Sequence, residues 1–109
     1  MPVKFTFRLY ALTLDTVRRV APYVQDIARH DPDLARQLRR SSTSIHLNCA
    51  EAMDAHGRNR HARFRTSLGS TNEVIATLEV ADALGYLTLD AATLDKLQHV
   101  RATLLNLVR

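Results

Sequence analysis

Apolar residues at the start of the chain recur in alternating steps of four and three. Val3, Phe7, Tyr10, Leu14, Val17, Ala21, Val24 and Ala28 keep that order over nearly four heptads, the period of a helix face. A second row, Phe5, Leu9, Leu12, Val20, Tyr23 and Ile27, widens the stripe. A helix with so broad an apolar surface buries more than one side. The pattern predicts a helix over 3–28. Pro22 is expected to kink or interrupt it, because the ring lacks an N–H and clashes one turn back. The alternation in VKFTF allows a short extended start.

The segment His30-Asp31-Pro32-Asp33 reads as a stop and a restart. Asp31 is a good N-cap, and Pro32 suits the first helical position. A second helix is predicted over 32–54, with a core face of Leu34, Leu38, Ser41, Ile45, Cys49 and Ala52. The hydroxyl residues Ser41 to Ser44 are weak helix formers. The apolar period nevertheless passes through them without a phase shift, and small residues there would let helices approach closely.

Gly57 breaks the period, and a turn around 54–59 leads to a third helix over 59–84. Its row is Phe64, Leu68, Thr71, Ile75 and Leu78, joined by Val74, with Gly85 as the residue after the cap. Gly69 inside it costs about 1 kcal/mol against Ala, which points to close packing there. Thr88 is placed to cap a fourth helix over 89–108, with Asp90 in its first turn. That helix carries Leu94, Leu97, Val100 or Arg101, Leu104, Leu107 and Val108. Four amphipathic helices with short connections predict an all-α, antiparallel up-down-up-down bundle, one domain over residues 1–109.

Composition sharpens the picture at the surface. With 46% apolar residues in 109, the chain can form a packed core, but a domain this small gains from association. Helix 1 has two apolar rows and Leu47 falls on the polar side of helix 2, so self-association is expected. No run of 18 apolar residues exists, and the first residues lack the form of a signal peptide. A cytoplasmic protein without a membrane partner is expected. One cysteine cannot staple the fold.

Charge is uneven. Residues 36–65 hold seven bases, all Arg, and two acids, Glu51 and Asp54, for a local +5 within a chain of net +4. Such a stretch points to a polyanion, and Arg favours bidentate phosphate or carboxylate contacts. Arg36, Arg39 and Arg40 share a helix face; Arg58, His61 and Arg65 form a second row; Arg60 and Arg63 point elsewhere. Arginines at the amino end of a helix oppose its dipole, a cost that a bound anion or acids from another helix would relieve. Arg39, nearer the edge of the stripe, has Glu51 and Glu73 as candidate partners in the bundle. Stacking aromatics are few, which favours backbone over base contacts.

Other chemistry is sparse. His46 and Cys49 stand three apart, yet Cys49 falls on the apolar face and reads as a buried, inert thiol. His56 and His61 lack further ligands at metal-binding spacing, so no metal or other cofactor is expected. Asn48 and Glu51 read as partners in interhelical hydrogen bonds or salt bridges. No glycine-rich phosphate loop, serine nucleophile motif or paired-carboxylate geometry is present.

The segments QLRRSSTSIHLNCAEAM and FRTSLGSTNEVIATLEVADALGYL resemble the bacterial four-helix-bundle proteins of the 23S ribosomal RNA intervening-sequence type. The accessory variability determinant proteins of diversity-generating retroelements are more distant relatives of that architecture. Gln37, Leu38, Arg39, Arg40, Ser44, Ile45, Asn48, Ala50 and Glu51 match the central motif, and Gly57-Arg58, Leu68-Gly69-Ser70, Glu73, Leu78 and Leu84 to Leu87 match further on. Cys49 stands where an aliphatic residue is usual, and Ala52 where glycine is usual. The resemblance implies a four-helix bundle assembled as a homopentamer around a central channel, with nucleic acid as partner. With the charge pattern, the expected function is non-enzymatic: RNA or DNA backbone binding or scaffolding. It would act through Arg36, Arg39, Arg40, Arg58, Arg60, Arg63 and Arg65. The alternative is an adaptor whose arginine face meets an acidic protein.

Overall fold

The computed structural model describes residues 2–109. Four helices fill it: α1 (Val3–Ala28), α2 (Pro32–Asp54), α3 (Gly57–Ala83) and α4 (Ala91–Val108). There is no strand among the described residues. VKFTF, read as a possible extended start, is helical throughout, and only Pro2 ahead of it is extended. Each helix packs on its neighbours in sequence, and α1 meets α4 to complete the bundle. The α2–α3 seam is the most extensive and the α1–α4 seam the slightest. The bundle measures 42 × 24 × 21 Å.

The helix ends follow from local chemistry. The Asp31 carboxylate accepts from the Leu34 N–H at 3.0 Å, with Pro32 in the first turn. α3 begins two residues before the expected 59, because Gly57 at φ +56° makes the turn itself. At the other end of α3, Gly85 at φ +78° lets its N–H donate to the Asp82 carbonyl and the Tyr86 N–H donate to that of Ala81. That pairing satisfies two orphan carbonyls and requires a left-handed residue. The cap of α4 is Asp90 and not Thr88: its carboxylate accepts from the Thr93 N–H at 2.7 Å and the Thr93 hydroxyl at 2.9 Å.

α1 runs unbroken through Pro22. The ring lies on the exposed side, where water can serve the Arg18 carbonyl left without its donor. Of the two apolar rows, the second is the core: Leu9, Val20, Tyr23 and Ile27 are buried, with Thr13 and Thr16 between them. Val3 and Phe7 in the first row are 84% and 73% exposed. The remaining core comes from Leu38, Ile45, Cys49 and Ala52, then Phe64, Val74 and Leu78, then Leu97, Val100 and Leu104. Leu34, Leu68 and Leu94 pack against its edge.

Buried hydroxyls are tolerated because most turn back on their own helix. Thr13, Thr16, Thr71 and Thr77 each donate to the carbonyl four residues earlier, and Ser42 to the one three earlier. Ser67 instead donates across the seam to the Ile45 carbonyl at 2.8 Å. A side chain this short reaches another backbone only where helices lie close, and that intimacy makes α2–α3 the tightest seam. Gly69 plays no part in it: a Cβ there would meet nothing within 4 Å. The close packing expected of that glycine does not occur within the chain.

Candidate nucleic-acid interface

α2 and α3 are joined by only Ala55 and His56, so the arginine-rich stretch folds back on itself. Its arginines therefore divide by height. Arg63 stands level with Asn48, to which it donates at 3.4 Å, while Arg40 borders the same groove as Glu73. Eight residues of α2 separate Arg40 from Asn48, about 12 Å of helix. The local +5 is thus divided between two levels of the bundle.

Several of the seven arginines are engaged. Arg36 pairs with Asp33 on its own exposed turn. Arg63 reaches Glu51 at 2.9 Å, joining α3 to α2. Arg60 is half-buried, and its Nε donates to the Ala55 carbonyl at 2.9 Å, just past the end of α2. That placing explains an arginine at the amino end of a helix. The carboxyl end of α2 lies two residues away, and its negative pole offsets the positive pole of α3. Arg39, Arg40, Arg58 and Arg65 are exposed, with no ion pair among the described residues. Arg39 meets neither candidate partner. Glu51 is taken by Arg63, and Glu73 accepts from the Ser41 hydroxyl.

Between the patches runs a polar seam that the spacing alone does not reveal. The Ser70 hydroxyl donates to Ser44 at 2.8 Å, and the Asn48 amide donates to the Ser44 carbonyl and hydroxyl, each at 3.0 Å. The chain of bonds continues through Arg63 to Glu51. Gln37, Arg40, Ser41, Ser44, Ser70 and Glu73 line an open groove along it. Residues that match the family motif in two separate segments thus meet in one seam. Asn48 and Glu51 serve as interhelical ties, as their flank position implies.

The remaining candidates are structural. Cys49 is fully buried and its Sγ lies 3.1 Å from the Ser67 hydroxyl; burial pushes the thiol up to about 11. His46 is buried between α1 and α2, with Nδ1 2.8 Å from the Thr13 hydroxyl and the Tyr10 ring edge-on at 4.5 Å. Burial lowers its pKa. His61 Nε2 donates to the Val108 carbonyl at 2.8 Å and so caps the end of α4. Among the described residues no group of three His, Cys, Asp or Glu could hold a metal ion.

The family model described as 23S rRNA-intervening sequence protein matches residues 7–106. No curated protein matches the chain. In the solved structures, a protein of unknown function from the S23 ribosomal protein family of Bacteroides thetaiotaomicron superposes with a TM-score of 0.84. It is 20% identical, and the match covers 93% of this chain and 98% of that one. At that identity the likeness speaks for the fold.

Proposed function

The chain belongs to the 23S rRNA-intervening sequence protein family, and from that premise we propose that it is a non-enzymatic bundle that binds nucleic-acid backbone as a homo-oligomer, a pentamer by its resemblance to the family. The observation that carries the reading is the exposure of Arg39, Arg40, Arg58 and Arg65 without acidic partners. Guanidinium groups left uncommitted on the surface of a basic protein favour phosphate. The family description, which names an rRNA, favours RNA. A binding role accords with a thiol held protonated by burial and histidines committed to structural bonds.

Fluorescence anisotropy with a short RNA, repeated across salt concentrations, tests the proposal. Affinity should fall steeply with salt and depend little on sequence. Replacing Arg39, Arg40, Arg58 and Arg65 with Gln should weaken binding to every sequence alike and flatten the salt slope, with helicity unchanged. Wild-type protein that binds neither RNA nor DNA at low salt would overturn the reading. The same arginine patches would then be read as the docking face for an acidic protein.

A further inference from the structure

The polar groove on the α2–α3 seam holds two opposite charges that do not pair. Arg40 borders it from α2 and Glu73 from α3, and neither has an ion pair among the described residues. Glu73 is exposed, and its Oε2 accepts from the Ser41 hydroxyl, while Oε1 has no donor among the described residues. An acid at this point works against phosphate binding, because like charges repel. Its place beside Arg40 is explained when the ligand carries a donor next to its phosphate.

The rest of the groove narrows the ligand. Ser44 and Ser70 meet across it at 2.8 Å, three residues along each helix from the Ser41–Glu73 bond, or about 4.5 Å. Over that length the lining is hydroxyl, amide and charge, with Gln37 completing it. No aromatic ring is in that lining, so a base has nothing to stack on. Gly69 stands one turn before Glu73 on α3, with open space where a side chain would be. The wall is low there, and a ligand backbone can come close.

Ribose and phosphate together answer both charges. In RNA each 2′-hydroxyl lies beside a phosphate, and it donates as well as accepts. A carboxylate accepting from a ribose 2′-hydroxyl is the pairing by which dinucleotide-binding folds hold the sugar. A guanidinium takes phosphate oxygens in pairs. DNA offers the same phosphate and lacks the donor. We propose that this groove is an RNA-selecting subsite, in which Glu73 accepts from one ribose 2′-hydroxyl while Arg40 holds the adjacent phosphate. The proposal rests on the backbone-binding reading above and adds why the backbone is that of RNA. Sugar and phosphate are common to all four nucleotides, so RNA is selected without dependence on base sequence.

Anisotropy titrations of the full chain with RNA, DNA and 2′-O-methyl RNA of one sequence test the subsite. The methylated strand keeps the RNA backbone and loses the donor. Wild-type protein should prefer RNA to both others by about tenfold at a fixed salt concentration. Glu73→Ala should abolish that preference by weakening RNA binding alone, while DNA affinity holds or rises with a negative charge gone. The variant should keep its helicity, because the Ser41 hydroxyl also has the Gln37 carbonyl at 2.8 Å. Arg40→Gln should instead weaken RNA and DNA together and lower the salt slope of each by about one. A preference for RNA that survives Glu73→Ala, or equal binding of RNA and 2′-O-methyl RNA, would overturn the subsite. Equal affinity for RNA and DNA would do the same and leave the backbone-binding reading standing. Wild-type protein that binds neither at low salt refutes that reading, and the subsite with it.

Discussion

A proton added to His46 would enter a site whose partners are the Thr13 hydroxyl and the edge of Tyr10. Burial therefore holds its folded pKa below the ordinary 6.5. As pH falls below 6.5 the unfolded chain takes up the proton first, so stability is complete above that value and is lost down to the folded pKa. Urea titrations at a series of pH values should show this loss, and His46→Gln should flatten it. Asp15 and Asp90 act lower on the scale. The hydrogen bond from Lys96 and that from Tyr23, respectively, hold their carboxyls below 3.8, and their contribution fades only as pH falls through those depressed values. Cys49 should resist alkylation in the native protein and react on unfolding, because a buried thiol near 11 offers no thiolate at neutral pH. Rapid native labelling would show that the α2–α3 seam opens. The apolar register of α2 already placed Cys49 in the core. Nothing in the sequence tied His46 to Thr13, because that bond spans 33 residues.

At the scale of the element, two small devices fix where α3 stops and α4 starts. Gly85→Ala forces a Cβ into the left-handed region and should cost about 1–2 kcal/mol, measured by chemical denaturation. Asp90→Ala removes both the α4 cap and the bond to Tyr23. It should lower the melting temperature more than Asp90→Asn, which can still cap. Helix existence and most ends were legible, because heptad spacing, Asp31-Pro32 and Gly85 each act within a turn or two of the chain. The choice between the two apolar rows of α1 was not. Both rows have helical spacing, and only the positions of α2 and α4 decide that Leu9, Val20 and Ile27 go inward. The cap of α4 was misplaced for a similar reason. Thr88 and Asp90 are both good caps, and the Tyr23 hydroxyl, 67 residues away, selects Asp90.

For the whole molecule, the charge stretch that reads as one block in sequence becomes two patches once α2 and α3 turn back on one another. Arg60 and Arg63 are drawn into structure, while Arg39 has no ion pair among the described residues. Periodicity could not show this, since an ion pair between helices leaves no mark on either helix alone. If the chain is stable mainly as an assembly, its melting temperature should rise with protein concentration. A melting point independent of concentration would mark the single bundle as self-sufficient. A Leu104→Ala variant, emptying a fully buried site, should cost about 2–5 kcal/mol in either case.

The unequal seams also set an order of events in time. α2 and α3 share the tightest packing and are separated by two residues, so their contacts close a short loop at little entropic cost. The α1–α4 seam joins the two ends of the chain through Tyr23–Asp90 and Lys96–Asp15 and the slightest packing of the four seams. The α2–α3 hairpin is then expected to form the nucleus, with the chain folding from its middle outward. Native-state hydrogen exchange should find the slowest amides around Ile45 and Thr71, with α4 the first helix to open. Uniform protection across all four helices would mean that the bundle opens only as a whole.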